Sequence, residues 1–124
     1  MLQKKRPIYL TLRQISLPLS GWVSILHRLS GVMLFFSLPL LLWGLEQSLK
    51  DPGRVDWLFA GAYLQVKVLL LLLGWAFFHH LFAGLRVLAL DLDWGAERAA
   101  AKKSSLAVLV LSLTLTVLLA LRLW

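Results

Sequence analysis

Cysteine is absent from the 124 residues, and charged side chains make up only 15% of them. The first absence excludes a disulfide framework, a thiolate metal site, a thiol redox pair and an iron–sulfur cluster held by this chain alone. Any metal must therefore be held by histidine or arrive within a cofactor. The scarcity of charge accompanies 60% hydrophobic residues and a mean hydropathy of +0.79. Disorder requires the opposite balance, low hydrophobicity and high charge. A soluble domain of 14.0 kDa cannot bury so much apolar surface inside itself. Nor is there an internal repeat of the collagen or low-complexity kind, and six Trp, six Phe and long leucine runs fit neither class. One compact unit in a bilayer remains.

Charge-free stretches run from Leu29 to Leu45 and from Ser104 to Leu121, and a third apolar span, Trp57 to Leu90, is interrupted only by Lys67, His79, His80 and Arg86. Each can supply the ~20 residues that cross ~30 Å of hydrocarbon at 1.5 Å per residue. The fold implied is an all-α integral membrane protein: a segment 1–19, then three transmembrane helices over about 20–49, 57–90 and 103–124 within a membrane domain 20–124. A polar turn around Glu46 to Asp56, with Pro52 and Gly53, and a mixed-charge connection from Asp91 to Lys103 join them.

A net charge of +7 would suit nucleic acid only if the cations formed a solvated face, and here they border apolar runs, so no nucleic-acid partner is expected. Lys4, Lys5, Arg6, Arg13 and Arg28 flank the N-terminal side. Arg86, Arg98, Lys102 and Lys103 flank the second connection, against Lys50, Arg54 and Arg122 on the opposite side. Nine against three puts the N-terminus and the second connection in the cytoplasm and the C-terminus outside. The basic start leads into a polar stretch with two prolines, without the small-residue cleavage pattern of a signal peptide.

Ionisable residues inside hydrocarbon cost ~2.5–3.5 kcal/mol each at a helix centre and so call for a reason. On the first helix Ser24, His27, Arg28 and Gly31 stand at i, i+3, i+4 and i+7, one stripe carrying a hydroxyl, an imidazole and a guanidinium beside a glycine that permits close approach. Such a set can hold an oxygen-rich group. The alternative for Arg28 is a snorkelling, positive-inside anchor, which needs neither His nor Ser on its face. On the second helix His79 and His80 point ~100° apart and cannot chelate one ion together. His80 has Ala76 and Gly84 a turn away on either side, clearance that a planar macrocycle bound through an axial imidazole requires, whereas Trp75, Phe82 and Ala83 crowd His79. His80 is thus the better haem ligand, the alternative being a hydrogen bond to a neighbouring helix. It lies 11 residues, or ~16 Å, from the border at Asp91, with no carboxylate nearby to pair with it. Arg86 could approach a propionate or, nearer its boundary, simply snorkel; Lys67 is read as snorkelling outward.

These residues resemble a known family. Ser24-Ile-Leu-His27-Arg28-Leu-Ser30-Gly31-Val32, after Arg6-Pro7 and Pro18 and before His80-x3-Gly84-x-Arg86-x4-Asp91, is similar to the cytochrome b subunit of succinate dehydrogenase, the larger membrane anchor of respiratory complex II. The resemblance covers nearly the whole chain. It implies that Ser24 and Arg28 help form a ubiquinone site near the cytoplasmic face, that His27 and Arg28 lie near haem propionates, and that His80 ligates haem b. It also implies a heteromeric helix bundle around the haem, in the bacterial inner membrane, with a second small hydrophobic anchor subunit, an iron–sulfur subunit and a flavoprotein as partners. Two departures stand out: Val87 occupies a place where many members carry a second histidine, and His79 is an addition beside the ligand, so that a slip of one residue to His79 is the competing assignment. Nothing in the chain can hold flavin, iron–sulfur clusters or a dicarboxylate, and a second axial ligand should come from a partner's helix. Ile8, Leu10 and Leu12 alternate with polar residues, an extended stretch suited to lie against the iron–sulfur subunit. The rival readings are the anchor of a fumarate reductase, which shares the architecture, and a haem-free structural membrane subunit.

Overall fold

A computed structural model of the chain describes residues 16–51, 53 and 64–124. The alternating stretch from Ile8 to Leu12 and the start expected for the second helix at Trp57 lie outside these residues. Three helices follow one another: α1 (Leu19–Lys50), α2 (Leu64–Asp91) and α3 (Arg98–Leu123). No strand occurs among the described residues. Each helix is long and apolar enough to span a membrane. At 1.5 Å per residue the 32 residues of α1 extend ~48 Å, so its ends must project beyond the hydrocarbon. α3 begins at Arg98 and not at residue 103. Ala99, Ala100 and Ala101 are the strongest helix formers and carry the helix past the last lipid-facing residue into the charged border.

The inward faces are small and partly polar. Val23, Ser30 and Ser37 are buried on α1, Ala76, His79 and Ala83 on α2, and Ser105, Val108 and Ser112 on α3. Their spacings of three, four and seven residues place each set on one seam of its helix. Small side chains let the backbones approach where lipid tails remove the hydrophobic incentive to associate. The hydroxyls need no cross-helix partner: Ser30 donates to His27 O (2.9 Å), Ser37 to Leu34 O (2.8 Å), Ser105 to Ala101 O (2.7 Å) and Ser112 to Leu109 O (3.1 Å). Large apolar side chains such as Phe35, Phe36, Leu42 and Leu121 face outward. That arrangement suits lipid or a partner helix and would be a liability in water.

α2 packs against both neighbours, and α1 meets α3 less extensively. At Gly74 a Cβ would come within 2.5 Å of Leu119 Cδ2, so the glycine sets the closeness of α2 and α3 there. The connection between these helices is tight: Trp94 N donates to Ala89 O (2.9 Å) and Asp93 N to Leu90 O (3.0 Å). Asp93 and Gly95 both have positive φ, 59° and 76°, a conformation that glycine adopts without cost and aspartate more readily than most residues. Two residues expected to snorkel are instead engaged within the bundle. Arg86 Nε donates to Ser104 Oγ (3.1 Å), tying α2 to the first turns of α3. Lys67 Nζ stands 5.1 Å from the centre of the Trp124 ring, a cation–π contact between the opposite ends of the same helices.

Candidate cofactor site

Consecutive spanning helices run antiparallel, and α1 and α2 carry the same pair at the same spacing: His27 with Gly31, and His80 with Gly84. Each histidine docks on the other helix's glycine. A Cβ at Gly31 would meet His80 Cε1 at 2.8 Å and Nδ1 at 3.2 Å, and a Cβ at Gly84 would lie 3.6 Å from His27 Nε2. The two rings consequently meet, with centroids 4.4 Å apart and planes tilted by 37°. What the glycine in the first motif admits is therefore the imidazole of the second.

His80 is half-buried, and its Nδ1 lies 3.0 Å from His27 O and 3.4 Å from Ser30 Oγ. A carbonyl can only accept, so Nδ1 carries the ring proton and donates it to His27 O. Nε2 is left with the free lone pair. That is the usual preparation of a metal-binding histidine, whose second nitrogen is held by a carbonyl or carboxylate. His79 is placed quite differently. It is 0% exposed within the three-helix seam and stacks on Trp75, with centroids 5.3 Å apart and planes 25° apart. It lies against the Val23 backbone, yet neither of its ring nitrogens has a partner at hydrogen-bond geometry.

The stripe of the first motif divides once α2 is in place. His27 and Gly31 face α2, with His27 Nε2 buried and unpartnered. Ser24 and Arg28 look outward: Arg28 is exposed, Ser24 half-buried, and Arg28 Nη2 donates to Ser24 Oγ at 3.5 Å, the weak limit of a hydrogen bond. A groove of about 630 Å³ opens at the same end of the bundle, lined by Pro18, Ser20, Arg98 and Lys102 among others. Another, apolar and about 410 Å³, lies between α1 and α2 near Trp43 and Leu70. Neither touches Ser24, His27, Arg28 or His80. Of these four residues Arg28 is exposed and Ser24 half-buried on the outer side of α1, while His27 and His80 meet between α1 and α2. Ser30 and the His27 carbonyl were not singled out by residue type as partners of His80; the repeated His-x3-Gly spacing in two antiparallel helices is the signal that points to them.

Small inward residues, an apolar exterior and three long apolar helices define a three-span membrane protein, with a half-buried imidazole tied to a carbonyl between α1 and α2. A family model for the succinate dehydrogenase/fumarate reductase transmembrane subunit matches residues 3–119, and the chain belongs to that family. It is similar to the succinate dehydrogenase cytochrome b556 subunit of Rickettsia felis, 36% identical over 115 residues that cover 93% of this chain and 90% of the relative. The protein of the same description from Paracoccus denitrificans is 35% identical over 116 residues, 91% of this chain and 88% of its own. That of Coxiella burnetii is 32% identical over 130 residues, 97% and 98%.

Proposed function

We propose that this chain is the haem-binding membrane anchor of a succinate:quinone oxidoreductase and contributes one wall of its ubiquinone site. The observation that carries the reading is His80, whose Nδ1–H is committed to His27 O and whose Nε2 is left to bind iron. The residues fit haem b. His80 would be one axial ligand and the exposed Arg28 guanidinium a donor suited to a propionate, whereas His27 Nε2, expected to share that role, is buried against Gly84. Bound there, haem b would supply a one-electron centre beside the quinone. Full enclosure of His79 argues against it as the ligand, because no macrocycle can reach a ring with no exposed surface.

Ser24 and Arg28 act on the quinone. The hydroxyl donates to a quinone carbonyl, and the guanidinium, with most of its donors unspent, favours negative charge developing on the oxygens during reduction. Three helices cannot surround a macrocycle. The apolar exterior and the open wall of the site therefore call for a second, small anchor subunit that supplies the other axial ligand, with an iron–sulfur subunit and a flavoprotein on the cytoplasmic side. The names of the relatives support succinate as the electron source. Purified with its partners from the bacterial inner membrane, the chain should be red, with a low-spin spectrum on dithionite reduction and ubiquinone among the extracted lipids. A colourless complex overturns the haem assignment and leaves a structural anchor.

Orientation follows from the nine-to-three distribution of Lys and Arg. A periplasmic reporter fused after Trp124 should be active and one fused after Glu97 silent. The reverse pattern would move Ser24 and Arg28 to the wrong face for electrons arriving from a cytoplasmic iron–sulfur subunit.

A further inference from the structure

We propose that α1 positions the His80 imidazole: the His27 carbonyl holds its Nδ1–H, Ser30 tunes that carbonyl, and Gly31 clears the space in which the ring lies. This rests on the reading of His80 as an axial ligand, and it assigns the positioning to three residues of another helix. Three distances carry it. His80 Nδ1 is 3.0 Å from His27 O, Ser30 Oγ donates to the same oxygen at 2.9 Å, and a Cβ on Gly31 would come within 2.8 Å of His80 Cε1. Ser30 is fully buried and its hydroxyl is spent on His27 O, so that oxygen is shared by Ser30, His80 and the helical N–H of α1, and each donor weakens the others' bonds. Its own separation from Nδ1, 3.4 Å, makes it a poor second acceptor.

The hydrogen bond from the far nitrogen governs how strongly an imidazole donates to its metal, and hydrogen bonding beyond the ligands is one of the levers on a haem's potential. The two α1 side positions consequently act with opposite sign. Gly31→Ala pushes the ring away from α1, lengthens the bond to His27 O, weakens the imidazole as a donor and destabilises the ferric state, so the midpoint potential rises. Ser30→Ala removes one of the donors that share His27 O, strengthens the bond from His80, makes the imidazole a better donor and lowers the potential. A residue that merely packed would not produce opposed shifts.

The test uses the assembled complex with Ser30→Ala, Gly31→Ala, Gly44→Ala and His80→Leu variants, read by haem content, redox titration and the low-spin ferric electron paramagnetic resonance signal. Gly44 has open space within 4 Å of its Cβ position and serves as the control for adding a methyl group to α1. Expected are near-normal haem content in the first three variants, a rise in potential and an altered low-spin signal for Gly31→Ala, a fall for Ser30→Ala, and no change for Gly44→Ala. Shifts of the same sign, or none, overturn the proposal. If Gly31→Ala does not assemble, Ser30→Ala decides, because it deletes one oxygen and adds no atom: a fall supports the proposal, and an unchanged or raised potential overturns it. Persistence of the low-spin signal in His80→Leu would instead overturn the ligand assignment beneath it.

Discussion

His80→Leu is expected to abolish the low-spin haem signal of the assembled complex, whereas His79→Leu should leave it in place. The two substitutions are identical in chemistry and one residue apart, so their difference isolates geometry. His80 offers Nε2 because Nδ1 is bound to His27 O. Leucine has no lone pair, so the axial ligand proposed at this position is lost. His79 offers nothing outward, since its ring is wholly enclosed. The cost of its removal can be weighed: a stack on Trp75 worth about 0.5–1.5 kcal/mol is lost. Against that, a buried polar group without partners, which costs about 1–3 kcal/mol, is replaced by an apolar one of similar size. The terms nearly cancel, so His79→Leu should assemble normally and retain its haem. Loss of the low-spin signal in His79→Leu, with His80→Leu unaffected, would move the ligand by one residue.

The contrast between these neighbours also shows what periodicity can and cannot convey. Charge-free runs mark the membrane spans, because an apolar stretch of that length has no other stable setting. They do not mark helix ends: α3 starts at Arg98 because three alanines favour a helix irrespective of lipid. Angles of ~100° per residue show that His79 and His80 point apart, but the small residues a turn from His80 do not leave it a recess: Ala76 is buried in the seam with His79, and Gly84 is covered by His27. Which of the two faces the seam is decided by α1 and α3, whose docking no local pattern specifies. The same holds for the first motif, where Ser24, His27, Arg28 and Gly31 read as one stripe until α2 takes His27 and Gly31 and leaves Ser24 and Arg28 outside. Arg86 and Ser104, 18 residues apart, meet only because the turn at Asp93 and Gly95 folds α3 back along α2. Membership in the family was legible in the run from Ser24 to Val32; the carbonyl that holds His80 was not, because a backbone atom leaves no mark in residue type.

Arg28→Leu should slow quinone reduction by the assembled complex on the order of 10²-fold, the usual cost of removing one preorganised donor to developing charge, and Ser24→Ala should slow it less. The ordering follows from chemistry: Arg28 supplies both a donor and a fixed positive charge, Ser24 a donor alone. The structure makes the test clean. Arg28 is exposed and its contact with Ser24 Oγ, at 3.5 Å, is weak, so neither substitution removes an interaction on which the three-helix seam depends. Substitutions of that kind usually change stability by no more than about 0.5 kcal/mol. Donors from the proposed second anchor subunit would soften the loss, which makes the ratio of two activities a better readout than either alone. Succinate oxidation with a soluble dye bypasses the membrane site and should survive both changes, measured on the same preparation as quinone reduction. Unimpaired quinone reduction in Arg28→Leu would sink the assignment. A normal dye rate with a collapsed quinone rate would place the defect at the wall formed by Ser24 and Arg28, on the side of α1 that the bundle leaves open.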